Sequence, residues 1–510
     1  MPSENNKKIV KNTLVLYFRQ LITMVVVLFT SRVVLQTLGV TDYGINNVVG
    51  GVVMMFGFVS GTLMSITQRF ISVELGKSAD IAVLGKIYST SMILHIAAAV
   101  VVVILAETVG VWFLNNKLII PIERMEAANC VYQFAVFGFV LSLLNAPLMA
   151  LVISHEDMHI YGYMGIFDVI AKLLTVYLLV IINADKLIFM AFFGFVVTCV
   201  VWFFYFFYCR WKYKYARFKL IYEKALIKEL SEFGGYMFGS NVFAILLTQG
   251  INIMLNIFFG PAINAAKGLA SSVNIALQSF GNNFRQAIVP QITMSYAANE
   301  TATMWNLVER GTRMSYFLFS VFSVPVLLKT EFVLKLWLGN VPEYTAIFVR
   351  LMILDALLSG TTFALSNVAI ASGKLKIWVY MGYVFSVIIL LLSYLSGRMG
   401  YSPQYILAIS PFSKILFLPI YIVCAKKLFK LSISFFTQKA LIPIFFVSVV
   451  SFLPFYFANK LLYESFLNSL IIITTSMLWT SIVIMHIGLR KNERAKVFVF
   501  VKRKFCINKS

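Results

Sequence analysis

Long apolar runs alternate with short polar breaks along the whole chain, and they define about fourteen candidate helices. The first six run at about 12–38, 43–67, 84–113, 125–154, 158–183 and 186–209. Six more lie near 230–259, 264–296, 303–328, 345–371, 375–397 and 403–424, and two follow at 439–459 and 463–488. At 1.5 Å per residue such runs are matched to a hydrocarbon core about 30 Å thick. The pattern predicts an all-α integral membrane protein with about 14 transmembrane helices.

One run departs from the rest. Asn264, Lys267, Ser271, Asn274, Gln278, Asn282 and Arg285 recur at steps of three or four. At about 100° per residue they share an arc of roughly 80° on one helix. Lipid tolerates neither the amides nor the cations, so this face must meet protein or water. It marks a candidate pathway. The run before it carries Asn241, Gln249, Asn252 and Asn256 on a similar arc, with Thr248 beside them. Either the two helices line one cavity, or the amides join neighbouring helices.

Composition removes several classes of function. The 510 residues are 60% hydrophobic and 13% charged, against about one quarter charged in soluble domains. Five scattered cysteines show no metal or redox spacing. No P-loop, His/Cys cluster or nucleophile elbow is present, so neither an enzyme nor a cofactor is expected. The opening MPSENNKKIVKN runs into an apolar helix with no small-residue cleavage site, and reads as a cytoplasmic tail.

The net charge of +22 is explained by its location. Alternating the loops between two sides puts roughly 29 Lys and Arg on the side of both termini and about seven on the other. Both termini are therefore expected in the cytoplasm. The basic balance is topology signal and attraction to anionic membrane lipid, not a nucleic-acid footprint. Setting Leu38-Gly39 against Phe259-Gly260 also superposes the second helix on the eighth. The expected organisation is an N-terminal lobe of six helices (1–209), a basic linker (210–229) and a second six-helix lobe (230–424). Two extra helices and a basic tail (425–510) complete it. Transporters commonly bind substrate between such halves.

Further polar residues within the runs are candidates of a second kind. Arg19 and Arg32 lie on different sides of the first helix, and Arg69 closes the second. Asp168 and Lys172 sit four apart, as a self-neutralising pair or as an ion or proton site. Asp355 is a further candidate for ion coupling. Lys414, between Pro411 and Pro419, is a candidate second cavity cation. His95 and His486 read as packing residues.

Three stretches together resemble the Wzx-type polysaccharide flippases of the MATE-like multidrug/oligosaccharidyl-lipid/polysaccharide exporter superfamily. They are SRVVLQTLGVTDYG (31–44), ITQRFISVELGK (66–77), and LWLGNVPEYTAIFVRLMIL (336–354) followed by SNVAIASGKLK (366–376). The resemblance spans the chain, and implies two six-helix lobes alternating access across the bacterial cytoplasmic (inner) membrane. It implies a lipid-linked oligosaccharide substrate, carried on undecaprenyl diphosphate for O-antigen, capsule or exopolysaccharide assembly. A polysaccharide polymerase and other assembly proteins would be partners. Cations on the first, second and eighth helices are important in that family; here Arg19, Arg69, Lys267 and Arg285 match those helices, with Arg19 or Arg32 left open. A cation-coupled multidrug exporter of the same superfamily is the nearest alternative, but the first helix carries no acid. A glycosyltransferase or polymerase would want acidic residues or a large outer loop, and a passive scaffold would leave the polar stripe unexplained.

Overall fold

A computed structural model describes residues 2–77, 80–155, 157–182, 184–219, 243, 245–297, 300–372 and 375–495. Side chains of residues 1–25 and most of 279–291 lie outside the described set. The described chain is helical almost throughout. In order come α1 (Pro2–Met54), α2 (Gly57–Lys77), α3 (Ile81–Leu105), α4 (Val111–Asn116), α5 (Met125–Ser154), α6 (Met158–Ile181) and α7 (Lys186–Lys212). Next is α8 (Ile245–Phe259). Then follow α9 (Pro261–Ala297), α10 (Thr301–Leu328), α11 (Thr330–Leu338), α12 (Thr345–Ser372), α13 (Leu375–Arg398) and α14 (Pro403–Phe429). The last are α15 (Ile433–Phe436), α16 (Ile442–Leu461) and α17 (Phe466–Val483).

Ten of the described helices are long and apolar enough to span a bilayer, or eleven if the bent pair Val26–Met54 and Gly57–Ser72 is one span. This is a multi-pass membrane protein, with fewer qualifying spans than the sequence pattern suggests. The difference has two sources, one of coverage and one of composition. α8 is short as described, because residues 220–242 lie outside the described set. α9 is long, but its polar stripe lowers its hydropathy. Apolar side chains at bilayer level stay exposed, as Ile104, Val180 and Leu416 do, because lipid rather than protein covers them.

The helix ends follow local rules. Asp80 accepts from the Ala82 N–H at 2.8 Å, and Asp185 caps α7 through the N–H groups of Leu187 and Ile188 at 3.0 and 3.2 Å. Gly39 interrupts α1 with φ 79° and ψ 173°, and Gly260 precedes α9 with φ 81°. These are the two glycines that the repeat aligns, and both adopt a backbone that L side chains rarely tolerate.

The chain divides into two compact units. The first comprises Met1–Ser272 with Gly382–Ile406, and the second Val273–Met381 with Leu407–Ser510. In the first, one apolar core gathers Ile45, Val49, Val131, Tyr132 and Leu187. Another gathers Ile71, Tyr88, Leu151 and Tyr205. In the second, Val308, Leu365, Trp378 and Phe436 share a core.

Candidate functional site

The motif Leu38-Gly39-x-x-Asp42-Tyr43-Gly44 builds the approach of α1 to α9. A Cβ on Gly44 would stand 1.8 Å from the Pro261 carbonyl oxygen, so only glycine lets the two backbones meet. Three residues on, Asn47 Nδ2 donates back to the Tyr43 carbonyl at 3.0 Å, while a Cβ on Gly268 would lie 2.6 Å from the Asn47 amide. Tyr43 lies against Ser31, Asn47 and Ser272. Gly51, one turn further, leaves room for Gln249 and Asn252 of α8. Glycines on α1 and α9 thus admit a backbone carbonyl and polar side chains from the helices that face them.

Within this space the first unit assembles a polar cluster. Asn252 Nδ2 donates to the Asn47 carbonyl at 3.3 Å. Asn264 Nδ2 donates to the Asn252 carbonyl at 2.7 Å and to Asn252 Oδ1 at 3.0 Å. Lys267 Nζ donates to the Thr248 carbonyl at 3.1 Å. Ser31 and Ser272 hydroxyls stand 3.4 Å apart. Lys267 is 8% exposed, and among the described residues no carboxylate pairs with it. Asn264 Oδ1 is enclosed without a partner. A Lys at bilayer depth costs about 3 kcal/mol on insertion scales, and a carbonyl alone offsets only part of that. The cluster offers the remaining Lys267 N–H groups to an anion, and Asn264 Oδ1 to a donor such as a hydroxyl.

The other expected site residues divide sharply. Asn256 is fully buried, and clamps the Ile119 backbone by accepting from its N–H at 2.8 Å and donating to its carbonyl at 3.3 Å. Both of its polar atoms are engaged in holding a loop. Asn274 and Gln278 continue along α9 into the second unit, partly buried, with Asn274 Oδ1 enclosed and unpartnered. The side chains of Arg19, Asn282 and Arg285 lie outside the described residues. Arg32 is half-buried, and Arg69 is exposed.

Asp168 and Lys172 form an i,i+4 ion pair at 2.8 Å, with Lys172 53% exposed. This is the self-neutralising arrangement. In the second unit, Lys414 Nζ donates to Asp355 Oδ2 at 2.6 Å and to Ser359 at 2.7 Å, and Ser410 donates to Asp355 Oδ1 at 2.6 Å. Two residues expected in separate roles therefore answer each other.

Sequence reasoning missed three further networks. In the first unit Arg124 binds Asp42 through Nε at 2.8 Å and Nη2 at 2.7 Å, and binds Asp185 through Nη1 at 2.5 Å. Three loops that the charge pattern put on one side meet there. Hydrogen bonding from Arg124 holds the Asp185 carboxyl below its usual range, outweighing burial. Beyond the end of α5, Lys212 and Tyr213 donate to Asp157 at 2.7 and 2.5 Å. Burial raises that carboxyl, but the donors hold it below the ordinary value. In the second unit Glu309, 0% exposed, and Arg313, 2% exposed, approach to 3.2 Å. Arg490 reaches Glu309 at 2.6 Å, and Glu493 accepts from Arg313 at 2.7 Å. Glu309 and Arg313 at i,i+4 were a readable signal; their partners beyond residue 489 were not.

No protein-family model and no curated protein sequence matches the chain. Solved structures do. The lipid II flippase MurJ in an inward closed conformation matches with TM-score 0.72 and 12% identity, over 94% of this chain and 100% of that one. An inward-facing multidrug resistance MATE family transporter of the MOP superfamily matches with TM-score 0.64 and 12% identity, over 81% and 96%. The MATE multidrug transporter DinF-BH gives TM-score 0.58 and 14% identity, over 81% and 95%. At such identities the likeness establishes the fold alone: this multi-pass membrane protein has the MurJ/MATE-like fold.

Proposed function

We propose that this protein flips undecaprenyl-diphosphate-linked oligosaccharide across the bacterial cytoplasmic membrane for surface polysaccharide assembly. On this reading about fourteen helices form two six-helix lobes and a C-terminal pair. The termini are cytoplasmic, and the lobes alternate access. The observation that carries it is Lys267: a buried cation among amides and hydroxyls, with no carboxylate beside it among the described residues. A diphosphate crossing a low-dielectric core must replace its lost hydration, and a fixed cation with charge-assisted hydrogen bonds does so. Asn252, Asn264 and the serines of α9 would exchange hydrogen bonds with sugar hydroxyls as water leaves. The lipid tail can remain in the bilayer. The shared fold with a lipid II flippase supports the same cargo class.

A drug exporter for lipophilic cations would want an available acid in the same place. Asp168, within a span of the first unit, is paired with Lys172. The test is translocation of lipid-linked oligosaccharide in proteoliposomes. Lys267→Met is expected to lower the rate by about tenfold or more, the loss of one charged hydrogen bond worth about 1.5–3 kcal/mol. Lys267→Arg should retain part of the activity. Wild-type flipping by Lys267→Met, or transport of lipophilic cations with none of the diphosphate lipid, would overturn the reading.

A further inference from the structure

The second unit contains a cavity of about 600 Å³ where α10 gives way to α11 and α16 to α17. Leu328 and Leu461 close their spans there, and Phe466 opens the next. The cavity therefore lies at the level where hydrocarbon meets water. Lys329 lines it and is only 6% exposed. Among the described residues its ammonium has no carboxylate or hydrogen-bond partner. Its backbone is fixed between two helices, the N–H donating to Pro325 at 3.0 Å and the carbonyl accepting from Val333 at 3.0 Å. The Lys329 backbone is thus fixed beside the cavity that the residue lines.

Several independent features of the lining favour an anion. Lys335 adds a second cation. Two helices begin at the cavity, α11 at Thr330 and α17 at Phe466, and helix N-termini carry partial positive charge. Asn459 Oδ1 is enclosed without a partner; as an acceptor it calls for a donor, such as a headgroup amine, beside the anion. Of the two carboxylates in the lining, Glu331 is bound by Arg350 at 3.2 Å, which leaves Glu464 without a described cation. The same lining is apolar on another side, with Leu336 and Phe466 58% and 61% exposed. Inorganic phosphate would use the cations alone. An amphiphile would use both.

We propose that this cavity holds the headgroup of a bilayer phospholipid, its phosphate on Lys329 and Lys335. Glu464 answers the amine of an ethanolamine headgroup, and Leu336 and Phe466 receive the first methylenes of the acyl chains. The site is separate from the Lys267 cluster and does not depend on the cargo proposed above.

The full-length protein, released from detergent with an equal mixture of phosphatidylethanolamine and phosphatidylglycerol, can be examined by native mass spectrometry. Wild type should retain phosphatidylethanolamine. Lys329→Gln should weaken retention about tenfold, the scale of one charged hydrogen bond. Glu464→Gln should move the preference to phosphatidylglycerol, and Lys186→Gln should change nothing. Hydrogen exchange on the wild type guards against a misfolded variant. Short-chain phosphatidylethanolamine should slow exchange over 329–336 and 464–469, and inorganic phosphate should not. Unchanged lipid retention by Lys329→Gln, equal protection by phosphate, or no protection by lipid would each overturn the proposal.

Discussion

Within their spans, the two units hold buried charge in opposite ways. In the second, Glu309 and Arg313 are all but inaccessible, and Arg490 and Glu493 pair with them. Well inside the spans of the same unit, Lys414 is neutralised by Asp355 and held by Ser359. The first unit instead keeps its strongest ion network at the loops, where Arg124 joins Asp42 and Asp185. Its buried interior holds Lys267 among Asn252, Asn264 and a carbonyl. A lysine's presence inside a span thus says little about its use. What matters is whether the protein supplies the counter-charge, or leaves that to whatever binds.

The sharpest way to break this contrast is to unpair the second unit. Glu309→Gln should lower stability by about 3–5 kcal/mol, because Arg313 stays buried with its charge partly unanswered. Thermal unfolding in detergent would measure it, and a loss below about 1 kcal/mol would mean that solvent reaches the pair. Asp355→Asn should be milder, at about 1–3 kcal/mol, since both partners are 30% exposed. Adding Lys414→Met should recover most of that loss, because the uncompensated ammonium goes with it. If the double variant is no better than the single, Asp355 has a role beyond neutralising Lys414.

The sequence already showed that the chain was helical, membrane-spanning and polar along α9. Period and hydropathy are local properties, and each helix carries its own. It also paired Gly39 with Gly260, and both have positive φ. What it could not show was partnership across helices. Asp355 and Lys414 are 59 positions apart, and nothing in either helix names the other. Asn256 shares a helical arc with Asn252, yet it reaches Ile119 and is spent on a loop, while Asn252 joins the polar cluster. Periodicity identifies a polar face; it does not say which amide on that face is structural. The motif around Asp42 was visible as a turn, but its carboxylate made sense only once Arg124 stood opposite.

The loop network of the first unit offers the gentlest perturbation, and pH separates its charge from its shape. Hydrogen bonding from Arg124 depresses the Asp185 carboxyl below its ordinary value of 3.8. A depressed carboxylate contributes stability above that value, and the contribution fades as pH falls through the lower, folded-state value. Asp185→Asn keeps a good cap for the N–H groups of Leu187 and Ile188, so it removes the charge with little change in geometry. The expected loss near neutral pH is about 1 kcal/mol, because the pair is partly open to solvent. Melting curves of wild type and variant should therefore converge as pH drops below 3.8. A difference that persists unchanged in acid would mean that Asp185 acts through its capping hydrogen bonds. The first unit would then depend less on charge at its loops than the second does within its helices.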